Sequence, residues 1–244
     1  MTAATTEQAR RARGSDTSGR SRTELRELVR AVGAELELAP AEDIVEWAVA
    51  TFGHRFCVTS SMGDAVLAHL VSRVAPGVDV VFLDTGYHFA ETIGTRDAVA
   101  ATLPLRVVNV EPELTVQEQD ERHGPRLYER DPDLCCSLRK VAPLNDALAG
   151  MDAWISGLRR EQSPSRANTP KFAWDAKHGL WKANPIADWT ERDVWTYILE
   201  HDLPYNPLHD RGYSSIGCTH CTKPGTGRDG RWSGTSKTEC GLHA

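Results

Sequence analysis

Residues 55–86 read RFCVTSSMGDAVLAHLVSRVAPGVDVVFLDTG, and this stretch decides the predicted fold. A short β-branched run, RFCVTS, is followed by a small-residue turn, a helical segment and a second apolar run, VDVVFL. Short apolar strands that alternate with helices of this length are typical of βαβ units, whose strands are parallel. The stretch therefore predicts an α/β fold.

The flanking sequence extends the same alternation in both directions. Residues 23–38 and 40–52 carry apolar side chains at helical spacing. Downstream, HFAETIGTRDAVAATL predicts a helix, LRVVNV a third strand, DAWISGLRREQ a fourth strand, and KFAWDAKHGLWKANPI a strand pair. Thr190 and Asp193 have the spacing of a capping box. We expect a mainly parallel, Rossmann-like sheet flanked by helices, and after Leu203 the periodicity is lost.

The composition restricts the partners and the location of the protein. A net charge of -6 over 244 residues argues against nucleic-acid or anionic-membrane partners, because phosphates are normally met by a cationic surface. No apolar run approaches the roughly 18 residues of a membrane span. Residues 1–22 lack the apolar core of a secretory signal, so we expect a disordered lead-in, with a transit peptide as the alternative. We expect a cytoplasmic protein, in which cysteines are more often metal ligands or redox groups than disulfides.

Three loops are expected to meet at the carboxyl edge of the sheet, where open α/β sheets bind ligands. The SSMG turn offers backbone N–H groups to a phosphate or sulfate, the LDTG loop offers nucleotide contacts, and the SGLRREQSPSR loop offers guanidinium forks for an anion. The plainer alternatives are an ordinary turn, a helix cap at Asp84 and a solvated charged loop. The candidate substrate contacts are Ser60, Ser61, Met62, Gly63, Leu83, Asp84, Gly86, Gly157, Arg159, Arg160 and Arg166.

Four cysteines form a more specific pattern, with Cys135 and Cys136 in LCCSLRK and Cys218 and Cys221 in CTHC. Four thiolates satisfy either zinc or an iron-sulfur cluster. Adjacent residues point to different sides of a helix, which favours a larger cluster; zinc, or free cysteines beside an unrelated CxxC, are the alternatives. Lys140 lies one helical turn after the cysteine pair and predicts a cation that offsets thiolate charge or reaches an anionic ligand.

The remaining two cysteines have contrasting surroundings. Cys57 lies in an apolar strand and is predicted to be part of the core. Cys240 lies in the C-terminal stretch KTECGLHA, where residues are usually mobile unless other contacts hold them. Lys237 and His243 flank it as cations that would lower a thiol pKa. Cys240 is therefore predicted to be either a tail thiol without a function or a reactive thiol that must change position.

Taken together, these segments resemble the assimilatory sulfonucleotide reductases, specifically the iron-sulfur-containing adenylyl-sulfate (adenosine 5'-phosphosulfate) reductases of bacteria. The resemblance runs from about Phe56 to the C-terminus. It rests on SSMGDAVLAHL, FLDTGYHFAET, CCSLRKVAPL, GLRREQSPSR, NPIADWTERDVWTYI, GYSSIGCTHCT, GRW and KTECGLH. The last of these, and the paired CC with CxxC, are the most specific.

The resemblance implies an adenine-nucleotide α-hydrolase-like fold and a mechanism. A 4Fe-4S cluster, with a structural and electrostatic role, would be held by Cys135, Cys136, Cys218 and Cys221. The Cys240 thiolate would attack the sulfur of adenylyl sulfate, expel AMP and form an S-sulfocysteine, which reduced thioredoxin would resolve to release sulfite for cysteine biosynthesis. The residues that would surround the sulfate are Lys140, Arg228, Arg231 and His243.

The same resemblance divides the chain into a lead-in (1–22), a sulfonucleotide-binding α/β domain with the cluster site (23–232) and a flexible catalytic tail (233–244). Relatives that act on 3'-phosphoadenylyl sulfate generally lack the four cysteines, which favours adenylyl sulfate as the substrate. The alternatives are a 3'-phosphoadenylyl-sulfate reductase, an ATP-pyrophosphatase-type adenylating enzyme, and an iron-sulfur sensor or zinc-stapled binding module with an idle Cys240. A homo-oligomer is left open.

Overall fold

A six-stranded sheet lies at the centre of this computed structural model, which describes residues 21–235 and 237–243. The strands cross the sheet in the order β3-β2-β1-β4-β6-β5, and all neighbours are parallel except the antiparallel pair β5 and β6. The predicted mainly parallel α/β fold and the predicted strand pair are confirmed. The strands are β1 (Phe56–Thr59), β2 (Val78–Leu83), β3 (Leu105–Val110), β4 (Ala153–Ile155), β5 (Phe172–Asp175) and β6 (Leu180–Ala183).

Helices connect and cover the strands, and the capping box between Thr190 and Asp193 is confirmed at the start of the last one. The predicted lead-in lies mostly outside the described residues, but the first helix already begins at Arg22, one residue before the predicted start. Within the described residues, no helix has the length and apolarity needed to span a bilayer. The helices are α1 (Arg22–Leu38), α2 (Ala41–Phe52), α3 (Val66–Val74), α4 (Ala90–Thr102), α5 (Val116–His123), α6 (Leu127–Arg130), α7 (Pro132–Cys136), α8 (Ala142–Leu148) and α9 (Glu191–Glu200).

The central strands β1 and β4 are buried on both faces, as expected of parallel strands between two helical layers. Val58 and Ile155 belong to the core that includes residues of α2, α3 and α9. Cys57 and Trp154, their neighbours along the strands, point to the opposite face and pack with Leu144 of α8. The predicted core position of Cys57 is therefore confirmed, since only 3% of the residue is exposed.

The strand order reverses between β1 and β4, so the loops after β1, β2 and β4 flank the ligand crevice typical of such sheets. The chain after Leu203 lies near this edge without long helices, and its 3-10 turns include His209–Arg211 and Thr219–Cys221. It is attached to the loop after β2, where the Thr219 N–H donates to the Tyr87 carbonyl at 2.8 Å. The predicted loss of periodicity after Leu203 corresponds to this irregular segment.

Candidate functional site

The turn after β1 carries the first group of predicted substrate contacts. The Ser60 hydroxyl accepts a hydrogen bond from the Met62 N–H at 3.1 Å, so this amide is already engaged within the turn. The Met62 side chain is fully buried, and its backbone adopts a positive φ of 56°. Asp64 accepts from the first N–H of α3 at 2.9 Å. The turn therefore presents exposed Ser61 and half-buried Gly63, while a carboxylate caps the start of the helix.

The loop after β2 is shaped by internal contacts. The Asp84 carboxylate accepts from the Gly86 N–H at 3.0 Å, which closes a tight turn directly after Leu83. Gly86 has a φ of 71°, and a Cβ atom there would lie 3.0 Å from a guanidinium nitrogen of Arg139. Thr85 is fully buried, and its carbonyl accepts from Arg139 Nε. Both the backbone conformation and the close contact with Arg139 therefore favour glycine at position 86.

Arg139 is a buried cation that the sequence interpretation missed. Its guanidinium also donates to the Leu114 carbonyl at 3.2 Å and to Gln119 Oε1 at 3.1 Å, and only 3% of the residue is exposed. Its Cζ lies 5.1 Å from the centroid of the Tyr87 ring. Hydrogen bonds to several acceptors offset the cost of burying the charge, and they join three separate stretches of the chain.

The four predicted ligand cysteines line one pocket, and all are free of disulfide bonds. The Thr85 hydroxyl lies 3.4 Å from the Cys218 sulfur. Among the residues described here, no three or more His, Cys, Asp or Glu side chains are arranged to hold a metal ion as they stand. The structure thus brings the four thiols to a common cavity without converging them on one ion. The pocket is lined by Tyr87, Tyr128, Pro132, Cys135, Cys136, Arg139, Lys140, Cys218, His220 and Cys221.

The charges around this pocket differ from one thiol to the next. Burial raises the pKa of Cys135 to about 12 and that of Cys136 to about 11. Burial also opposes ionisation of Cys218, but Lys140 and the Thr85 hydroxyl outweigh it and lower the pKa of this thiol. Burial disfavours the charge on Lys140 in turn, yet attraction to thiolates, Cys218 first, raises its pKa. Lys140 and Cys218 therefore stabilise each other's charged forms.

The three arginines of the loop after β4 contact different protein groups, and their predicted contact with an anion stays a prediction. Arg159 makes a marginal contact, 3.5 Å, with the Trp189 carbonyl. Arg160 forms an ion pair with Glu37 of α1 and donates to a backbone carbonyl. Arg166 instead binds a carboxylate of the C-terminal tail. Gly157 lies at the start of the loop, where a Cβ atom would lie 3.8 Å from the side chains of Ile186 and Leu67. In this structure the three guanidinium groups thus serve different partners.

The C-terminal tail, residues 237–243, is docked across the face of the sheet that carries Trp154. The Lys237 ammonium group pairs with Asp133 of α7, and Lys177 of the β5–β6 hairpin donates to the Gly241 carbonyl. Leu242 packs on the core face that contains α8. The structure therefore records a docked tail, and the predicted flexibility of this segment stays a prediction.

His243 differs from the expected cation. Its ring stacks on Trp154 with centroids 5.3 Å apart, and its Nδ1 lies 3.0 Å from Lys182 Nζ. Burial, then repulsion from Lys182, Arg166 and Arg228, holds the pKa of His243 well below its usual value. In the docked tail the lowered pKa favours a neutral imidazole, and the predicted role of His243 beside the sulfate stays a prediction.

Cys240 lies half-buried within the docked tail. It is close enough to Lys140 and Arg228 for its thiolate to act on the pKa values of both. It also contributes to the raised pKa of Cys136. The structure thus brings the C-terminal thiol, two of the predicted cations and the cysteine pocket into one electrostatic neighbourhood.

Arg228 and Arg231 lie in the turn that precedes the tail. Arg228 donates to the Thr238 carbonyl at 3.1 Å, and Arg231 donates to the Ile216 carbonyl at 3.2 Å. Both guanidinium groups contact the face of buried Trp232, with 5.6 and 4.5 Å between Cζ and the ring centroid. Trp232 therefore serves as an aromatic platform that holds the two cations near the tail.

Sequence reasoning missed several residues that build this site. Arg139 stands next to Lys140, Trp232 ends the GRW motif, and Glu239 precedes Cys240 in KTECGLH, so these three lie inside motifs that carried a signal. Lys182 lies in β6 and had no motif to mark it. The missed residues support the predicted ones, and their role depends on partners distant in the sequence.

The comparisons with known proteins identify the family. The family model described as "Phosphoadenosine phosphosulfate reductase domain" matches residues 55–224. A Streptomyces coelicolor protein named adenosine 5'-phosphosulfate reductase is 58% identical, covering 92% of this chain and 97% of its own length. A Mycolicibacterium smegmatis protein of the same name is 54% identical, covering 93% of this chain and 98% of its own.

Solved structures agree as well. The crystal structure of phosphoadenylyl-sulfate reductase from Candida auris, in a phosphate complex, has a TM-score of 0.69 and 30% identity, over 84% of this chain and 98% of that one. The FMN adenylyltransferase of Candida glabrata, with a TM-score of 0.52 and 13% identity over 79% of this chain and 67% of that one, shares the fold alone. By the domain match and the identity of its relatives, the chain belongs to the phosphoadenosine phosphosulfate reductase domain family, among its adenosine 5'-phosphosulfate reductases, as the motifs predict.

Proposed function

We propose that this protein reduces adenylyl sulfate to sulfite and AMP in assimilatory sulfate reduction, with reduced thioredoxin as the electron donor. The observation that carries the proposal is the docked tail, in which Glu239, the residue before Cys240, binds Arg166 of the loop after β4 and Arg228. Gly241, the residue after Cys240, lies beside Val141, the neighbour of Lys140. The names of relatives that are 54% and 58% identical supply the substrate. The nucleotide would lie along the loops after β1 and β2, as in other open α/β sheets.

In the first step the Cys240 thiolate attacks the sulfur of the sulfate group. A sulfur–sulfur bond forms, the sulfur–oxygen bond to the phosphate breaks, and AMP leaves with the electron pair. Lys140, Arg228 and Arg231 supply the positive charge that stabilises the developing negative charge on the departing phosphate and on the sulfonate. The product on the enzyme is an S-sulfocysteine at position 240.

In the second step a thiolate of reduced thioredoxin attacks the sulfur of Cys240, and sulfite leaves with the electron pair. The second thioredoxin thiol then attacks the mixed disulfide, which restores the Cys240 thiol and leaves thioredoxin oxidised by two electrons. Cys240 must face the nucleotide first and a protein partner second. A tail that docks through side-chain contacts such as Lys237 to Asp133 could exchange between these positions.

The chemistry of the cysteine pocket fits a 4Fe-4S cluster. We assign Cys135, Cys136, Cys218 and Cys221 as its ligands, because four free thiols line one cavity beside Lys140. When bound, the cluster would supply negative charge near the site and a covalent tie between α7 and the irregular segment. Free cysteines also support a reducing compartment, and we place the protein in the cytoplasm.

The test is an intact-protein mass spectrum after anaerobic incubation with adenylyl sulfate and without thioredoxin. We expect one added sulfonate, mapped to Cys240 and removed by reduced thioredoxin, and no adduct on Cys240→Ser. A parallel incubation with the 3'-phospho nucleotide ranks the two substrates. Absence of an adduct from either nucleotide, on protein that retains its cluster, would contradict the reductase function and favour an adenylating enzyme or a sensor.

A further inference from the structure

The residue before the proposed nucleophile is anchored more firmly than its neighbours in the tail. Both oxygens of Glu239 accept hydrogen bonds from Arg166, from Nε at 2.8 Å and from Nη2 at 2.8 Å. The same carboxylate accepts from Arg228 at 3.0 Å and from the Ser165 hydroxyl at 3.2 Å. Glu239 thus receives four hydrogen bonds, three of them from guanidinium groups, one residue away from Cys240.

Arg166 is in turn committed to this contact. Its remaining nitrogen, Nη1, donates to Gln162 Oε1 at 2.6 Å, so all three guanidinium nitrogens have partners within the protein. The side chains of Arg166 and Glu239 are 11% and 17% exposed, which limits screening by water and salt. Bidentate arginine–carboxylate pairs fix orientation as well as distance. While the tail is docked, Arg166 therefore directs its bidentate Nε–Nη2 edge to the tail rather than to a nucleotide.

The electrostatics of the pair agree with its geometry. Burial disfavours the charge on Glu239, but Arg166, Arg228 and the Ser165 hydroxyl outweigh it and lower the pKa of the carboxyl. Burial and Arg166 lower the pKa of Arg228 to about 10, which leaves it charged at neutral pH. The carboxylate therefore lies between two arginines that would otherwise repel each other, and its removal would destabilise the docked tail.

We infer that Glu239 is a positioning residue, whose carboxylate holds Cys240 at the reaction site through Arg166 and Arg228, and that Arg166 serves the tail rather than the nucleotide. The inference rests on the proposed function in one respect, the identity of Cys240 as the nucleophile. The contact orders a chain terminus before the substrate arrives. Placement of a nucleophile in advance reduces the entropy lost in reaching the transition state.

The first test measures how often Cys240 leaves the docked position. The holoenzyme, without substrate, is alkylated with N-ethylmaleimide, and the tryptic peptide 238–244 is quantified by mass spectrometry over time. Glu239→Gln and Arg166→Gln are each expected to raise the labelling rate of Cys240 roughly five- to twentyfold, and the double variant no further, because both remove the same contact. Glu239→Gln removes a negative charge and Arg166→Gln removes a positive one, so the two would change the ionisation of the Cys240 thiol in opposite directions. A higher labelling rate in both variants therefore reports greater exposure of Cys240.

Two internal controls accompany this measurement. Glu161→Gln removes a carboxylate from the same loop whose partner is the Glu191 N–H, at 3.0 Å, and should leave the labelling of Cys240 unchanged. Cys57, which is 3% exposed in the sheet, should stay unlabelled in every variant and so reports that the fold is intact.

The second test separates positioning from nucleotide binding. In single turnovers with adenylyl sulfate, both Glu239→Gln and Arg166→Gln should slow S-sulfonation of Cys240 roughly tenfold, while half-saturation by the nucleotide changes less than about twofold. Unchanged labelling of Cys240 in Glu239→Gln would overturn the inference. Faster sulfonation with tighter nucleotide binding would also overturn it, since Glu239 would then compete with the substrate. A wild-type protein that is never sulfonated at Cys240 would instead overturn the proposed function, whatever the labelling shows.

Discussion

The sheet and the segment after Leu203 are stabilised by different kinds of contact. Residues such as Val58 and Ile155 are fully buried in a continuous apolar core. The later segment is attached by backbone hydrogen bonds, by charged groups around Trp232 and by the cysteine pocket. Apolar burial specifies a fold and leaves little room for chemistry, whereas the polar segment carries Cys218, Cys221 and Cys240. The difference teaches that the apolar core fixes the positions of Cys135, Cys136 and Lys140, whereas polar contacts bring the remaining cysteines of the site to them.

The largest expected effect tests this difference by replacing an isoleucine with alanine once in the sheet and once in the segment after Leu203. Ile155→Ala in β4 should lower the free energy of unfolding by about 2–5 kcal/mol, because it leaves a cavity in the packed core. Ile216 lies outside both core clusters. Ile216→Ala should therefore lower the free energy of global unfolding by about 1 kcal/mol or less, because the segment after Leu203 can open while the sheet stays folded. Urea denaturation followed by circular dichroism measures both. Equal losses would mean that the sheet and the segment unfold as one unit.

A smaller, local effect is expected where the segment depends on an aromatic platform. Trp232 is 4% exposed, and Arg228, Arg231 and Lys237 lie within 5.6 Å of its ring centroid. Trp232→Leu should therefore destabilise the segment locally by about 1.5–3 kcal/mol, since each cation–π contact contributes about 0.5–1 kcal/mol or more when desolvated.

Hydrogen–deuterium exchange checks this prediction, with faster exchange expected in residues 213–243 and little change in β1 and β2. Trp174→Leu is the matched control, because Trp174 lies on β5 and is 36% exposed. Faster exchange across the sheet in Trp232→Leu would show that the platform supports the fold as well as the segment.

The same contrast explains how much of the fold the sequence revealed. The strands β1 and β2 follow from apolar runs, and α9 follows from its capping box, because both signals are local. The π-helical turn Ser137–Val141 between α7 and α8 was not predicted. It contains Arg139, whose acceptors Thr85 and Gln119 lie 54 and 20 residues away, so its surroundings depend on tertiary contacts that no local pattern records.

The candidate site was predictable to the same extent. The spacing of the cysteines and the position of Lys140 predicted a shared neighbourhood, and the pocket contains all of them. The directions of Arg160 and Arg166 could not be predicted, because their partners Glu37 and Glu239 are 123 and 73 residues away. The lowered pKa of His243 could not be predicted either, because its surroundings come from other elements, chiefly the ring on which it stacks and a neighbouring lysine.

The neutral state of His243 predicts a pH-dependent tail. The docked imidazole has a pKa well below its usual value, so between that lowered pKa and about pH 6.5 an undocked tail binds a proton that a docked tail does not. Docking is therefore strongest above pH 6.5. As the pH falls below that value, the equilibrium constant for docking decreases by up to about tenfold per pH unit. The charged or titratable groups that face the ring are Lys182 on β6, Arg166 after β4, Arg228 before the tail and His178 in the β5–β6 hairpin.

Hydrogen–deuterium exchange of the peptide 237–243 at pH 7.5 and 5.5, corrected for intrinsic rates, measures this docking. Burial lowers the pKa of Lys182 to about 8, so its ammonium form predominates across the range and should contribute little to the change. His243→Gln should remove the pH dependence. A dependence that persists in this variant would assign it to another group.

The smallest expected effect concerns an ion pair on the sheet that has the same bidentate geometry as the Arg166–Glu239 pair. Arg106 on β3 donates two hydrogen bonds to Asp79 on β2, both at 2.6 Å, as Arg166 does to Glu239. The Arg106 side chain is 71% exposed, however, compared with 11% for Arg166, so water and salt compete for its charge. Arg106→Gln should therefore cost less than about 0.5 kcal/mol in urea denaturation. A decrease of more than about 1 kcal/mol in the free energy of unfolding would show that bidentate geometry, rather than burial, determines the contribution of such a pair. Burial would then no longer explain why the Arg166–Glu239 contact positions Cys240.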